Sequence, residues 1–522
     1  MKKQLLKLTL LFGGVISTMT AFSQTRYIDD VFSDYTKAAN VLYDSNRSMN
    51  ILFGSGYPVP AMNNNPIVTA NLRCDIYSPT GDTITKRPVV IIVHTGSYLP
   101  VLVNRQTTGS KEDSAIIEIS KRFAKKGYVA VAMNYRLGWR ATTQNQSVAT
   151  QDLLQATYRG MQDVRNCIRF LRANADTYGI DTSKIVVGGQ GTGGYIALAV
   201  GNVDKRDEIE SNIKFLRDDL SPMVNMDTLG DWTGVGGLPY FNYSADANES
   251  ANAHMIFNYG GAMGDSTWMQ ANSLPMVGIH VATDPFAPYL TGDVLVPNGP
   301  IAIPTASGAG VVIPMANNLG INNKINAATY TDAYTTRAMQ ASGGVKNLFP
   351  LYTVSPADGA PWEWWDRAGV QAATGNTAGN FYGYPMPANG RAADSTSFMI
   401  NPLMSAEKGR AYIDTVVNFV APRIAVQFDL VNLTGVKEIA NVSKHLSVYP
   451  NPATTTLNID FNSAAGTVNA YNVMDITGRV LLNGNATSNN FAFNVNTLNA
   501  GLYFVNITLK DGSVATKRVV IE

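Results

Sequence analysis

From about residue 65 the chain alternates short apolar runs with longer stretches of helical periodicity, the pattern of an α/β fold built on a mostly parallel sheet. Leu72-Arg73-Cys74-Asp75-Ile76-Tyr77 reads as the first clear strand and closes on Ser78-Pro79. After Pro88, the run Val89 to Val93 has no polar interruption, as a strand buried on both faces requires, and it leads straight into His94-Thr95-Gly96-Ser97. A helix from Ile116 to Lys125 and a strand from Val129 to Met133 follow, with Asn134-Tyr135-Arg136-Leu137 as the strand's exit. Between Leu153 and Asn174, Met161, Val164, Ile168 and Leu171 recur at helical spacing while the arginines fall on other faces, which predicts a packing helix.

The next strand, Lys184 to Val187, ends in Gly188-Gly189-Gln190-Gly191-Thr192-Gly193-Gly194 before an apolar helix from Tyr195 to Val200. Such a turn needs glycine for its dihedrals and for close strand–helix packing. Further strands are expected at Ala253 to Tyr259, Pro275 to Val281 and Leu348 to Val354, and a last helix at Ala406 to Val420. Residues 290–328 are rich in Gly, Ala, Pro and Asn and read as a lid-like insertion. A polar connector over 427–445 separates a domain at 24–426 from a stretch at 446–522, where short alternating strands and Asn-Pro, Thr-Gly, Asn-Ala and Asp-Gly turns predict a small all-β sandwich.

Composition narrows the function. Forty basic and thirty-nine acidic residues leave a net charge of +1, so no long-range field recruits nucleic acid or an anionic membrane. Lys2, Lys3 and Lys7 precede an apolar run from Leu8 to Ile16, and Ala21 and Ser23 supply small residues, which reads as a secretory signal over 1–23. No later stretch is apolar for the roughly 20 residues a membrane span takes. Cys74 and Cys167 read as two buried free thiols. No His/Cys spacing of a metal site and no calcium-loop pattern occurs, and the Gly-rich turn lacks the Lys-Ser/Thr ending of a phosphate loop, so no cofactor is expected.

Two stretches then resemble known families. Tyr449-Pro450-Asn451-Pro452, Asp475-Ile476-Thr477-Gly478-Arg479-Val480, Leu498 to Val505 and the closing Lys517-Arg518-Val519-Val520 closely resemble the type A sorting domain of the type IX secretion system. That resemblance implies a Bacteroidetes-type bacterium, a secretion machinery as partner, and release or surface attachment.

The region from about Leu72 to Val420 resembles the carboxylesterase and lipase branch of the α/β-hydrolase superfamily, in which a Gly-rich loop after a buried strand gives N–H donors to an oxyanion and a G-x-S-x-G elbow displays a serine. In this chain the loop is His94-Thr95-Gly96-Ser97, so Thr95 and Gly96 fall at the oxyanion pocket. The elbow reads Gly189-Gln190-Gly191-Thr192-Gly193, with Gly191 in the nucleophile position; a frame centred on Thr192 would need glycine at Gln190, so Thr192 belongs to the pocket rather than the apex. His280-Val281-Ala282-Thr283-Asp284-Pro285-Phe286-Ala287-Pro288-Tyr289 fits the family's acid phrase, which makes Asp284 the triad-acid equivalent and His280 structural. The loop that carries the family's base, Ser355 to Asp366, has no histidine; Asp358 is the best-placed position in it, burial beside Trp362 and Trp364 could raise Asp358 or Glu363 although both read first as ordinary rim carboxylates, and the aromatic cluster reads as pocket wall. A degenerate hydrolase that still binds a small ester, lipid or glycan-like ligand, or a partner, is expected. An ester hydrolase with a non-standard site and a surface structural or adhesive protein remain as alternatives.

Overall fold

The computed structural model describes residues 25–49, 67–101, 104–140, 143, 145–238, 242–295, 301–355, 358–376, 387–431, 433, 443, 445–475, 479–510 and 514–522. The expected leader over 1–23 lies outside the described residues, as do most of 427–445 beyond Val431 and the Ile476-Thr477-Gly478 part of one sorting motif. The chain divides into two compact units, Met1–Val431 and Asn432–Glu522.

The first unit is built on one eight-stranded sheet: β1 (Tyr35–Met49), β2 (Ile67–Pro79), β3 (Arg87–Val93), β4 (Val129–Met133), β5 (Ile180–Gln190), β6 (Met255–Tyr259), β7 (Met276–Val281) and β8 (Leu348–Leu351). Its spatial order is β1-β2-β4-β3-β5-β6-β7-β8. β1 and β2 run antiparallel, β2 is antiparallel to β4, and every pair from β4 to β8 is parallel. The uninterrupted apolar runs lie where both faces of the sheet are covered: Val89 to Val93 and Val129 to Met133 are wholly buried. Helices α1 (Ser114–Lys125), α2 (Gln146–Ala173), α3 (Thr192–Asn202), α4 (Ala309–Asn318) and α5 (Ala406–Gln427) cover those faces.

Helix α2 starts before the expected Leu153, capped by the Asn145 side chain, which accepts from Val148 N. It does more than pack. Most of its charged residues are buried and hold loops by their carbonyls and side chains: Asp163 takes the Arg136 guanidinium at 2.8 Å and its backbone N–H at 2.7 Å, and Arg159 donates to Gly138 O at 2.6 Å. These bonds fix the exit of β4 against the sheet. Cys74 on β2 and Cys167 on α2 are buried and unbridged.

Three elements differ from the sequence expectation. β1 was not foreseen. The stretch 290–328 is not one irregular lid: a hairpin of Thr291–Leu295 and Ile301–Ser307 is followed by α4, whose Val312 and Ile313 are buried against the sheet, and by a short helix at Asn323–Ala327. The last helix runs on to Gln427, with Pro422 inside it and Ile424, Ala425 and Val426 buried.

The second unit has two antiparallel sheets, β9 (Leu446–Tyr449), β10 (Thr456–Phe461) and β13 (Asn490–Asn494) in one, and β12 (Val480–Asn485), β11 (Val468–Asp475), β14 (Gly501–Leu509) and β15 (Val514–Ile521) in the other. Alternate residues of β14, Tyr503, Val505, Ile507 and Leu509, point into a core shared with Leu457, Ile459 and Val473. That period of two is what a small sandwich needs to bury one face of each sheet.

Candidate functional site

Four segments that leave the carboxyl ends of β3, β5, β7 and β8 meet over one edge of the parallel sheet, where open α/β sheets hold their ligands. The segment after β5 is a sharp turn. Gly191 sits at φ 51°, ψ −115°, between the last residue of β5 and the first of α3, and its N–H donates to Tyr259 O at 3.0 Å. Few residues other than glycine reach this region without strain. The flanking glycines serve packing: a side chain on Gly189 would overlap the Gly193 carbonyl.

Gly191 also has a neighbour in the way. A first side-chain carbon on residue 191 would overlap Thr95 Oγ1 and lie 3.0 Å from Thr95 Cβ. The same hydroxyl accepts from the backbone N–H of Thr192 at 3.4 Å. Thr95 therefore fills the space a side chain at the elbow would take, and caps the N–H that follows it. Thr192 starts the helix; its hydroxyl lies 3.4 Å from Tyr135 Oη, and its carbonyl accepts from Tyr98 at 3.3 Å. Gly96 is at φ +114° with Gly109 packed against it, so the loop passes the cavity through its neighbours Thr95 and Ser97; this corrects the expectation that Gly96 lines the pocket.

Asp284 lies just beyond β7. Its Oδ1 accepts from Phe286 N at 2.8 Å and Ala287 N at 3.1 Å, and its Oδ2 is 3.5 Å from His280 Nε2. The His280 ring is fully buried and donates that Nε2–H to Ala287 O at 3.1 Å, which fixes the turn carrying Asp284. His94 is fully buried, stacked on Tyr135 at 4.4 Å, and burial pushes it down to about 4; it stays neutral.

The segment after β8 corrects another expectation. Asp358 does not stand beside the acid: its carboxylate is held by the Lys408 ammonium on α5. Gly359 stands there instead, for a first side-chain carbon on it would lie 2.8 Å from Asp284 Oδ1. Trp362 is buried with its ring edge-on to Tyr259 at 5.2 Å and lines the cavity. Glu363 accepts from Gln190 Nε2 at 2.5 Å, and burial, then the nearby carboxylates of Asp113, Asp358 and Asp284, push it up to about 8. The Gln190 bond opposes that shift without cancelling it.

Together these segments enclose a cavity of about 140 Å³ walled by Tyr98, Trp139, Phe286 and Trp362, with Gln190, Asp284 and Glu363 as polar groups. Among the described residues no group of three His, Cys, Asp or Glu side chains could hold a metal ion. Gln190, Gly359 and Trp139 are site residues that sequence reasoning missed. Gln190 was visible only as a misfit in the elbow pattern, and the other two carry no local signal.

Residues 74–296 match the family model described as BD-FAE, and residues 447–522 match that of the secretion system C-terminal sorting domain. Carboxylesterase 3B of Mus musculus is 31% identical over 160 residues, which cover 30% of this chain and 25% of that protein. The chain thus spans about a quarter of the length of that curated relative. Among solved structures, Thermogutta terrifontis esterase 2 phosphorylated by paraoxon is 16% identical, covering 54% of this chain and 77% of its own, with a TM-score of 0.30. A truncated carbohydrate esterase from gut microbiota is 17% identical over 50% of this chain and 81% of its own, at 0.29. The sheet order and the family match give the first unit an α/β-hydrolase fold that is esterase-like. The tail is a type IX sorting domain, which directs the protein to secretion or to the cell surface. Among the described residues no helix is long and apolar enough to cross a membrane.

Proposed function

We propose that this exported α/β-hydrolase domain is a catalytically degenerate relative of esterases, which holds a small ligand in its cavity without turning it over. One observation carries the reading: the Thr95 hydroxyl fills the place of an elbow side chain, and the elbow residue is Gly191. Acyl transfer at a serine needs a hydroxyl at the apex, a base near it that takes the proton close to neutral pH, and an acid that steadies the base. Asp284 supplies an acid, but Gly359 offers no side chain between it and the elbow. The cavity is nonetheless kept, with aromatic walls and buried polar groups that a collapsed site would not need.

The test is turnover of short-chain p-nitrophenyl esters beside a thermal-shift screen of neutral esters, sugars and amines. We expect hydrolysis at background and a rise in Tm with at least one class of compound. Hydrolysis well above background that follows the folded protein overturns the reading. It would favour the second one, an ester hydrolase with a non-standard site, for which Glu363, titrating at about 8, is the motivating observation.

A further inference from the structure

The cavity's charge is one-sided. Among its described lining residues, Asp284 and Glu363 carry carboxyls and none is Lys, Arg or His. Gln190 adds a third acceptor: it is 1% exposed, its Nε2 is spent on Glu363, and its Oε1 has no hydrogen-bond partner among the described residues. A buried acceptor left without a donor is costly, so a donor supplied by a ligand is favoured at this spot. Tyr195 Oη, also unpartnered on the cavity wall, can accept as well as donate, whereas the unpartnered Trp362 Nε1 calls for one acceptor on the ligand. What the site lacks is positive charge bearing N–H groups. Tyr98, Trp139, Phe286 and Trp362 are among the lining residues, and aromatic rings attract cations through their π faces.

We propose that the cavity binds a small organic ammonium ion, its charged head among Asp284, Glu363 and the Gln190 side-chain oxygen, its apolar body against Tyr98, Trp139, Phe286 and Trp362. The proposal rests on the reading that the cavity holds a ligand. Its volume of about 140 Å³ suits a body the size of one six-membered ring. The groups that face Glu363 set its response to pH: Asp113 from the loop before α1, Asp358 in its own loop, Asp284 beyond β7 and Gln190 at the end of β5. Among the described residues, the Lys408 ammonium on α5 is tied to Asp358 and to Asn401 Oδ1 at 2.7 Å. An arriving ammonium ion therefore supplies the missing counter-charge, and Glu363 gives up its proton to bind it. Below about 8 the affinity should rise with pH, because the proton competes with the cation.

The experiment is isothermal titration of the full chain with benzylammonium, benzyl alcohol and benzoate at pH 6 and pH 8. Benzylammonium should bind at least about tenfold tighter than benzyl alcohol, a difference of roughly 1.4 kcal/mol, and benzoate should not bind. Benzylammonium affinity should increase several-fold from pH 6 to pH 8, with proton release detected by repeating the titration in buffers of different ionisation heat. Glu363→Gln, checked for folding by its Tm, should bind more weakly and lose the pH dependence. Should this variant not fold, the pH dependence and proton release of the unmodified chain still decide. Benzyl alcohol or benzoate binding as well as benzylammonium, or an affinity flat with pH, overturns the ammonium proposal and leaves the ligand-binding reading standing. No binding of any of the three, with no Tm rise from neutral esters or sugars, removes both.

Discussion

Thr95 Oγ1 stands where the first side-chain carbon of residue 191 would have to be, and the Thr192 N–H points to that same oxygen. The loop after β3 and the turn after β5 are thus fitted to each other as a pair, and neither can be read alone.

On the degenerate reading the pair should leave the chain blind to activity probes. The full-length protein, incubated with a fluorophosphonate, should show no stoichiometric mass increase, because that reagent needs an activated serine and none stands at the turn. Intact-mass spectrometry checks this, and a complete shift by one adduct would refute the degenerate reading.

Repair of the site should require three changes. Gly191→Ser alone meets Thr95 and should lower stability by about 1–3 kcal/mol in a denaturant melt, as overpacking does. Thr95→Gly with Gly191→Ser should recover only part of that loss, since the turn stays strained and the Thr192 N–H loses its acceptor, and should still hydrolyse p-nitrophenyl acetate at background. Adding Gly359→His, whose first side-chain carbon crowds Asp284 Oδ1 and Pro285 so that the loop must shift to admit it, should raise the rate at least about tenfold, since triad groups act as a unit. The same histidine placed by Asp358→His should give no gain, because Asp358 belongs to Lys408.

Buried Glu363 should shape the pH dependence of stability. Its folded pKa of about 8 lies above its ordinary 4.5, so the fold prefers the protonated form. The stability this group contributes is complete below about 4.5 and is lost as pH rises through about 8. Asp113, also pushed up to about 8 by burial, acts in the same direction. Glu363→Gln should therefore change Tm little at pH 4 and raise it relative to the parent at pH 9, by the equivalent of at least about 1 kcal/mol, since one pKa unit corresponds to roughly 1.4 kcal/mol. Paired thermal melts at the two pH values measure it.

A chain ending at Val431 should keep the hydrolase unit folded, because the first unit has its own sheet and core. It should melt with an unchanged Tm yet fail to reach the cell surface, since the sorting domain is gone. Surface proteolysis of cells expressing each form distinguishes the two.

The strands that carry the site were legible because each contains a short apolar run, and Val89 to Val93, with no polar break, is the clearest. Asp284 was legible because its phrase is local: the turn's own N–H groups hold it. β1 was not. Its outer half is exposed at the sheet edge, and its buried positions include Asp44, Asn46 and Ser48, so no apolar alternation marks it. Asp358 was favoured over Gly359 because a carboxyl looks functional in a sequence and a glycine does not. The difference lies in contacts made across the fold, to Lys408 by one and toward Asp284 by the other. The obstruction by Thr95 was hidden for the same reason, since 96 residue numbers separate it from Gly191.

The turn at Gly191 has a further consequence for how the protein can change over generations. A glycine rests at φ 51°, ψ −115° without steric penalty, so the turn now persists whether or not any chemistry depends on it. Any larger residue arriving at 191 meets Thr95, while exchanging Thr95 for glycine first takes away the oxygen that satisfies the Thr192 N–H. Each residue makes the other's replacement unfavourable as a first step. Mutual constraint of this kind acts as a ratchet: a chain that carries both residues reaches a serine at the elbow only by a path whose first step is a loss.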